Sequence, residues 1–376
     1  MVKVLQIVGG LRRAGTETWL LQVARRLDRA AVAMDFLVHG NEEGEYEREL
    51  RDLGCGIVRT PMPVDLPAYA RSLGAALDRG RYDVVHSHLQ HFSGLTTFVA
   101  WRHGVETRIV HSHLDTPPGP GRSLKAPYEW AMSRLIRRYA THRIGVSHRA
   151  AIALFGADWP VLPNTAVLSC GIDLAPFMTA ANPALRQSLG LGAEALVMGH
   201  VGRFVDQKNH ELVVAVAAEV MKENPYARLL LVGEGPLQPR IEERCTALGI
   251  RERTVFAGSR PDVPELLKSA IDVLVFPSRY EGLGLAVVEA QAAGIPSVIS
   301  DVVPPEVEVL PELIHWQSLE DAPAAWAAAV ERARRRRGAR DSARRIWATS
   351  FNIERSVAWL HRLYSGRVIP PAGVAA

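Results

Sequence analysis

Cysteine is scarce: Cys55, Cys170 and Cys245 are far apart and odd in number. No pair has the short spacing of a zinc or redox motif, so reduced cysteines in a cytosolic protein are expected. Long apolar runs are missing as well. The most apolar uncharged stretches, such as Ala322–Val330, fall far short of the ~20 residues that a membrane span needs. The opening segment Met1–Val8 runs straight into Gly9-Gly10, with neither the apolar region nor the cleavage site of a signal peptide. It reads as the buried first strand of a cytoplasmic protein. Lysines are few, at Lys3, Lys125, Lys208, Lys222 and Lys268. Low-complexity tracts and short-period repeats are absent.

The 376 residues exceed one ordinary core, and 48% hydrophobic with 22% charged residues reads as globular. At ~150 residues per domain, two domains are expected. The net charge is only +4, but the arginines cluster. Arg334–Arg337 with Arg340, Arg344 and Arg345 form one basic run. Arg134, Arg137, Arg138 and Arg143 form another, interleaved with Trp130, Leu135, Ile136 and Tyr139. Solvated helix faces are the plain explanation. A surface for anionic lipid at the inner face of the membrane is the sharper one. Nucleic acid is not expected, since no recognition motif accompanies the charge.

Both halves alternate short β-branched runs with helical patterns, the signature of βαβ units and parallel sheets covered on both faces. The expected strands of the first half are Val2–Val8, Met34–Val38, Gly56–Val58, Val84–His86, Arg108–His111 and Arg143–Val146. Those of the second are Leu196–Val201, Arg228–Val232, Val255–Ala257, Val273–Phe276 and Ser297–Ile299. Pro176, Asn182, Pro183 and Gly190 place the linker in the turn-rich stretch Asp173–Leu191. The expected domains are therefore 1–175 and 176–350. The amphipathic segment Asn352–Tyr364 and a tail, 351–376, follow the second domain. Doubly wound domains bind ligands at the C-terminal ends of their strands. Two in tandem, facing across a cleft, would suit an enzyme that joins two substrates and excludes water.

The strongest local signal is Pro277 to Pro296, which follows the strand ending at Phe276 and opens a helix. Gly282 and Gly284 let the backbone approach a ligand, and the helix start offers unpaired N–H groups suited to a diphosphate. Glu281 and Glu289 would stand ~80° apart on one helix at about 100° per residue. Glu281 is therefore placed in the loop and Glu289 inside the helix, where a carboxylate can accept two hydrogen bonds from a ribose diol. The alternative is a capped helix with a solvated glutamate.

Gly202-Arg203-Phe204-Val205-Asp206-Gln207-Lys208-Asn209 also follows a strand. If the turn folds back, Arg203 and Lys208 converge on one anion and stabilise charge developing on a departing diphosphate. As bare surface cations at a helix start they would oppose the dipole. The glycine loop from Gly9 to Thr18 is a weak motif, lacking the third-glycine spacing of a dinucleotide site and the Lys-Ser/Thr of a P-loop. Histidines gather at His86, His88 and His91, then at His111 and His113. No carboxylate or cysteine set completes a metal site, so no metal is expected. A hydrogen-bond role toward substrate and a purely structural role both stay open.

Together these segments resemble the family 4 glycosyltransferases of the GT-B fold, in particular the bacterial exopolysaccharide and capsule branch. The matching pieces span nearly the whole chain: Gly9-Gly10 to Thr18, Val85-His86-Ser87-His88, His111-Ser112-His113, Cys170-Gly171-Ile172-Asp173, Gly202 to His210, Val232 to Pro236 and Glu281 to Gly294. The resemblance implies an α/β chain of two Rossmann-like doubly wound domains. It implies a hexosyl transfer, with retention of configuration, from a nucleoside-diphosphate sugar to an alcohol such as a glycan, a lipid-linked glycan or a small metabolite. By the same resemblance Glu289 would hold the donor ribose and Glu281 the transferred sugar. The backbone at Gly284 and Leu285, with Arg203 and Lys208, would bind the diphosphate. Gly233–Gly235 and Gly258–Arg260 would border the base, and Gly15 would let the acceptor-side loop approach the donor. His113, or His111 by a shift in register, would lie near the reacting centre. No metal or other cofactor is required in this fold type, and the leaving diphosphate helps take the acceptor's proton. The last helix would pack back on the first domain. One departure stands out: the family's usual Asn-Gly-Ile-Asp reads Cys170-Gly171-Ile172-Asp173, with Asn164 upstream. A sugar-nucleotide epimerase on the same scaffold, a phosphorylase and a non-catalytic sugar-nucleotide-binding scaffold are the competing readings. A pyridoxal-dependent phosphorylase would need one of the few lysines for its cofactor.

Overall fold

A computed structural model describes residues 1–62, 64–115, 122–336 and 341–366. The chain divides into two units, one of residues 1–172 with 353–376 and the other of residues 173–352.

The first unit is built on a seven-stranded, wholly parallel sheet. Its strands are β1 (Val2–Ile7), β2 (Val32–His39), β3 (Ile57–Thr60), β4 (Val84–Ser87), β5 (Thr107–Ser112), β6 (His142–Gly145) and β7 (Thr165–Val167), in spatial order β3-β2-β1-β4-β5-β6-β7. The second unit carries six parallel strands: β8 (Val197–Val201), β9 (Arg228–Val232), β10 (Thr254–Phe256), β11 (Val273–Phe276), β12 (Ser297–Ser300) and β13 (Ile314–Gln317), in order β10-β9-β8-β11-β12-β13. Both orders are those of a doubly wound nucleotide-binding sheet. Helices cover both faces, so the central strands are apolar throughout, as in Val273-Leu274-Val275-Phe276, buried at every residue. The strand order reverses between β1 and β4 in one sheet and between β8 and β11 in the other. The loops leaving those strand ends border each unit's ligand crevice.

The edge strands β7 and β13, of three and four residues, were not expected from the sequence. The helix Ser93–Arg102 is also unannounced; it buries Thr96, Thr97 and Val99 with little segregation of polar from apolar faces. The partition between the units falls at 172/173 and 352/353, against the expected 175/176 and 350/351.

The last helix, Ile353–Tyr364, belongs to the first unit. Ile353 N donates to Ile172 O at 3.1 Å. Ser356 Oγ accepts from Gly171 N at 3.0 Å and donates to Ser169 O at 3.2 Å. Arg26 on the helix Gly15–Arg26 pairs with Glu354 at 2.9 Å.

The second basic run needs correcting. Arg134, Arg137 and Arg138 are exposed on the helix Arg122–Tyr139, but Arg143 lies on β6 and is buried. Its guanidinium donates to Arg137 O at 2.8 Å and Pro163 O at 3.3 Å, satisfying buried carbonyls rather than facing solvent. In the other run Arg334 pairs with Glu331 and Arg345 with Glu312, while Arg337 and Arg340 lie outside the described residues, as does the tail Pro370–Ala376. The three cysteines are free and buried.

Candidate active site

The loops leaving β8 and β11 interlock at the point where the second sheet reverses. Arg279 N donates to Gln207 O at 2.8 Å. Asn209 Nδ2 donates to Pro277 O at 3.1 Å, and Gln207 Nε2 to Tyr280 O at 3.0 Å. These bonds tie the loop after β8, which carries Arg203 and Lys208, to the loop after β11. Lys208 Nζ reaches Glu281 Oε1 at 2.5 Å, with only 16% and 7% of the two side chains exposed. The ammonium also stands 4.8 Å from the centre of the Phe276 ring. Arg203 is exposed and enters no ion pair among the described residues. One cation is thus committed to a carboxylate while the other is uncommitted.

Gly284 sits at φ 97°, which a side chain disfavours, and turns the chain into the helix Leu285–Ala292. No side chain caps this helix, whereas Ser147 caps the helix His148–Phe155 by accepting from Ala150 N. The first amides at Leu285 are therefore available to an anion, with the positive end of the helix behind them. Glu289, in the same helix, is partly buried, and burial pushes its carboxyl up to about 7. It makes no ion pair among the described residues.

The remaining loops of this edge are tied to the β8 loop. Gly233 has φ 134°, and a Cβ there would come within 2.2 Å of Gly202 O, so only glycine fits. Gly233 N donates to Gly258 O at 2.9 Å, Phe204 N to Glu234 O at 2.9 Å, and Ser259 N to Glu234 Oε1 at 3.1 Å. Arg260 is held by Asp262 at 2.8 and 2.6 Å. Arg203, Lys208, Gly233, Gly258, Arg260, Glu281, Gly284, Leu285 and Glu289 therefore all lie on segments that follow β8, β9, β10 or β11.

Gly15, His111 and His113 belong to the first unit. Gly15 is exposed and opens the helix Gly15–Arg26, whose N-cap residue Ala14 supplies no side-chain acceptor. His111, the penultimate residue of β5, is fully buried, against Trp19 at 5.5 Å between ring centroids and stacked on His86 at 5.4 Å. His113, just past the strand, keeps partial solvent contact. Of the two registers left open, only His113 meets solvent. Burial lowers the pKa of His86, His88, His111 and His113, bringing His113 down to about 3. All four rings are neutral at physiological pH.

The histidines are wired together. His88 Nδ1 lies 2.8 Å from His113 Nε2, and His88 Nε2 lies 2.9 Å from Gln6 Oε1. Gln6 Nε2 donates to Tyr364 Oη at 2.8 Å, and that hydroxyl lies 2.9 Å from His86 Nδ1. Cys170 Sγ stands 4.0 Å from His113 Nδ1. Asn164 is elsewhere, donating to Thr141 O before β7, so the cysteine alone occupies the place of the family's asparagine. Ring nitrogens of His86, His88 and His111 lie within 4.8 Å of one another, although no metal site was expected. Both nitrogens of His88 are already hydrogen-bonded, whereas His86 Nε2 and both nitrogens of His111 have no hydrogen-bond partner among the described residues. Gln6 and Tyr364 gave no sequence signal; one reads as a polar break in an apolar strand, the other as part of an amphipathic helix.

Two doubly wound parallel sheets in one chain are the architecture of the GT-B fold. Residues 14–168 match the family described as Glycosyl transferase 4-like domain, and residues 182–345 match Glycosyl transferases group 1. The chain is 31% identical over 345 residues to EpsF of Bacillus subtilis, provisionally named a glycosyltransferase, covering 88% of this chain and 87% of that one. It is 31% identical, over 61% of each chain, to the UDP-Gal:alpha-D-GlcNAc-diphosphoundecaprenol alpha-1,3-galactosyltransferase of Escherichia coli. Among solved structures, HepE of Anabaena in complex with UDP and glucose superposes with a TM-score of 0.80 at 19% identity, over 97% of this chain and 100% of that one. The protein belongs to the family 4 glycosyltransferases of the exopolysaccharide type and is a hexosyltransferase. The comparisons lend no support to an epimerase. No described helix is long and apolar enough to cross a membrane.

Proposed function

We propose that this enzyme transfers a hexose or N-acetylhexosamine, with retention of configuration, from a nucleoside-diphosphate sugar bound by the second unit to an alcohol acceptor. The observation that carries the donor site is the uncapped helix start after Gly284 on the same sheet edge as the uncommitted Arg203. The amides at Gly284 and Leu285, with Arg203 and Lys208, take the diphosphate; Glu289 accepts two hydroxyls of the ribose. Gly233–Gly235 and Gly258–Arg260 border the base. Glu281 faces the sugar and holds Lys208 in place, so the lysine arrives pre-oriented for charge that develops as the bond to the diphosphate breaks. The leaving diphosphate takes the proton that the acceptor hydroxyl gives up. His113 and Gly15 serve the acceptor side, and no metal is required. The complexes of HepE with UDP and with UDP-glucose support a donor of this class.

A lipid-linked acceptor is supported by the undecaprenol-linked substrate in the name of the Escherichia coli relative. Peripheral membrane contact is supported by an exposed patch on the helix Arg122–Tyr139. There Trp130 is 65% exposed with the Arg134 guanidinium 5.3 Å from its ring centre. Aromatic and cationic side chains together suit an anionic headgroup layer.

The test is a thermal-shift panel of nucleoside diphosphates and their sugars. One at about 100 times its Kd should stabilise by about 2.7 kcal/mol. Glu289→Ala should weaken that binding, and Lys208→Ala should slow transfer more than it weakens binding. If neither changes affinity or rate, the site is misplaced. A non-catalytic scaffold would bind the donor yet show no transfer and no slow hydrolysis.

A further inference from the structure

The buried polar chain of the first unit has a direction. A neutral imidazole donates from one nitrogen and accepts at the other, so fixing one end fixes every tautomer along the chain. Gln6 presents Oε1 to His88 Nε2, and an amide oxygen only accepts, so His88 carries its proton on Nε2. His88 Nδ1 is then an acceptor, and its neighbour His113 must donate from Nε2. His113 Nδ1 is left as an acceptor, facing the thiol of Cys170 at 4.0 Å. On the other side Gln6 Nε2 donates to the Tyr364 hydroxyl, which lies 2.9 Å from His86 Nδ1. Gln6 and Tyr364 are buried, with Gln6 at 0% exposure, so water does not compete for these bonds.

We infer that Gln6 is a positioning residue for His113: through His88 it fixes the Nε2–H tautomer and leaves Nδ1 as a lone-pair acceptor for a ligand hydroxyl. A thiol is a weak donor, so Cys170 holds this acceptor only loosely. A sugar or acceptor hydroxyl that takes its place gains a stronger hydrogen bond. Tyr364, from the returning C-terminal helix, bonds the other end of the Gln6 amide at 2.8 Å. The inference rests on His113 lying at the acceptor side, as proposed above.

The test uses full-length protein with 15N-labelled histidine. Long-range 1H–15N spectra at neutral pH should show His88 and His113 both as Nε2–H, with no substrate present. Gln6→Leu should mix the two tautomers of His113 and lower kcat at least tenfold, with a cooperative circular-dichroism melt and dispersed histidine resonances retained as proof that the first unit is folded. Gln6→Glu keeps an oxygen acceptor for His88 and should restore both the tautomer and most of kcat. A wild-type His113 protonated at Nδ1 overturns the inference, as does one equivalent of tightly bound metal in the purified protein, because coordination would take lone pairs that the chain uses. Tautomers as stated with kcat unmoved by Gln6→Leu also overturn the positioning role. Because the spectra need no substrate, failure of the donor site would show separately, as loss of nucleotide binding.

Discussion

Glu289→Gln should make the free enzyme more stable above neutral pH while weakening its hold on the donor. Burial moves the Glu289 carboxyl from 4.5 up to about 7. In the unfolded chain it ionises near its ordinary value, so between those pH values the folded state binds more protons. Stability therefore falls as pH rises through this window, and the full cost is present above pH ~7. At about 1.4 kcal/mol per tenfold change in proton affinity, the cost has an upper bound of about 3 kcal/mol. The side chain keeps some solvent contact, which trims the figure. For a unit of this size about 1 kcal/mol moves Tm by roughly 2–4 °C, so a rise of several degrees is expected at pH 8. At pH 4.5 the wild-type carboxyl is protonated and the two proteins should melt together. The assay is differential scanning fluorimetry at both pH values, with and without nucleoside diphosphate. Without ligand the variant melts higher at pH 8; with ligand its shift is smaller, because an amide accepts poorly from a ribose diol. Wild-type donor affinity should itself rise with pH through about 7 as the carboxylate forms. A variant that melts at or below wild type at pH 8 would refute the reasoning from burial.

Lys208→Ala should also lower Tm, because it strands the nearly buried Glu281 carboxylate, whose unpaired charge costs several kcal/mol; Lys208→Ala with Glu281→Gln should recover most of the loss. Gly233→Ala should unfold or distort the second unit, since its Cβ meets a backbone carbonyl at 2.2 Å, and circular dichroism melting will show it. Acidification below pH ~6.5 should progressively destabilise the first unit, because His113 is brought down to about 3 and stays neutral while the unfolded chain gains the proton. Titrating with a thiol reagent in native buffer should leave Cys170 unmodified, since burial pushes its pKa up and withholds the thiolate.

The segments of the proposed donor site stand out in the sequence because the chemistry assigned to them is local. The glycine at 284, the following helix and the acids at 281 and 289 lie within one strand-loop-helix unit, so their spacing carries the geometry. The convergence of Arg203 and Lys208 on one anion depends on the turn between them, which Gln207 and Asn209 tie to the loop after β11. The Lys208–Glu281 pair was not legible, because its partners are 73 residues apart and only the adjacency of β8 and β11 brings them together. For the same reason sequence alone left His111 and His113 as alternatives.

By itself the sequence determined the alternation of apolar strands and helices, and so two parallel doubly wound sheets, because burial on both faces imposes continuous apolar runs whatever the rest of the chain does. It also located the turns proposed to bind the diphosphate, each a strand, a glycine and a helix in succession. Tertiary structure alone decided which side chains became partners. Gln6 and Tyr364 meet across a separation of 358 residues because the last helix packs back on the first unit. Arg143 left its basic run for the interior because β6 carries it there. Hydrogen bonds between distant residues depend on where the elements pack, and no local period records that.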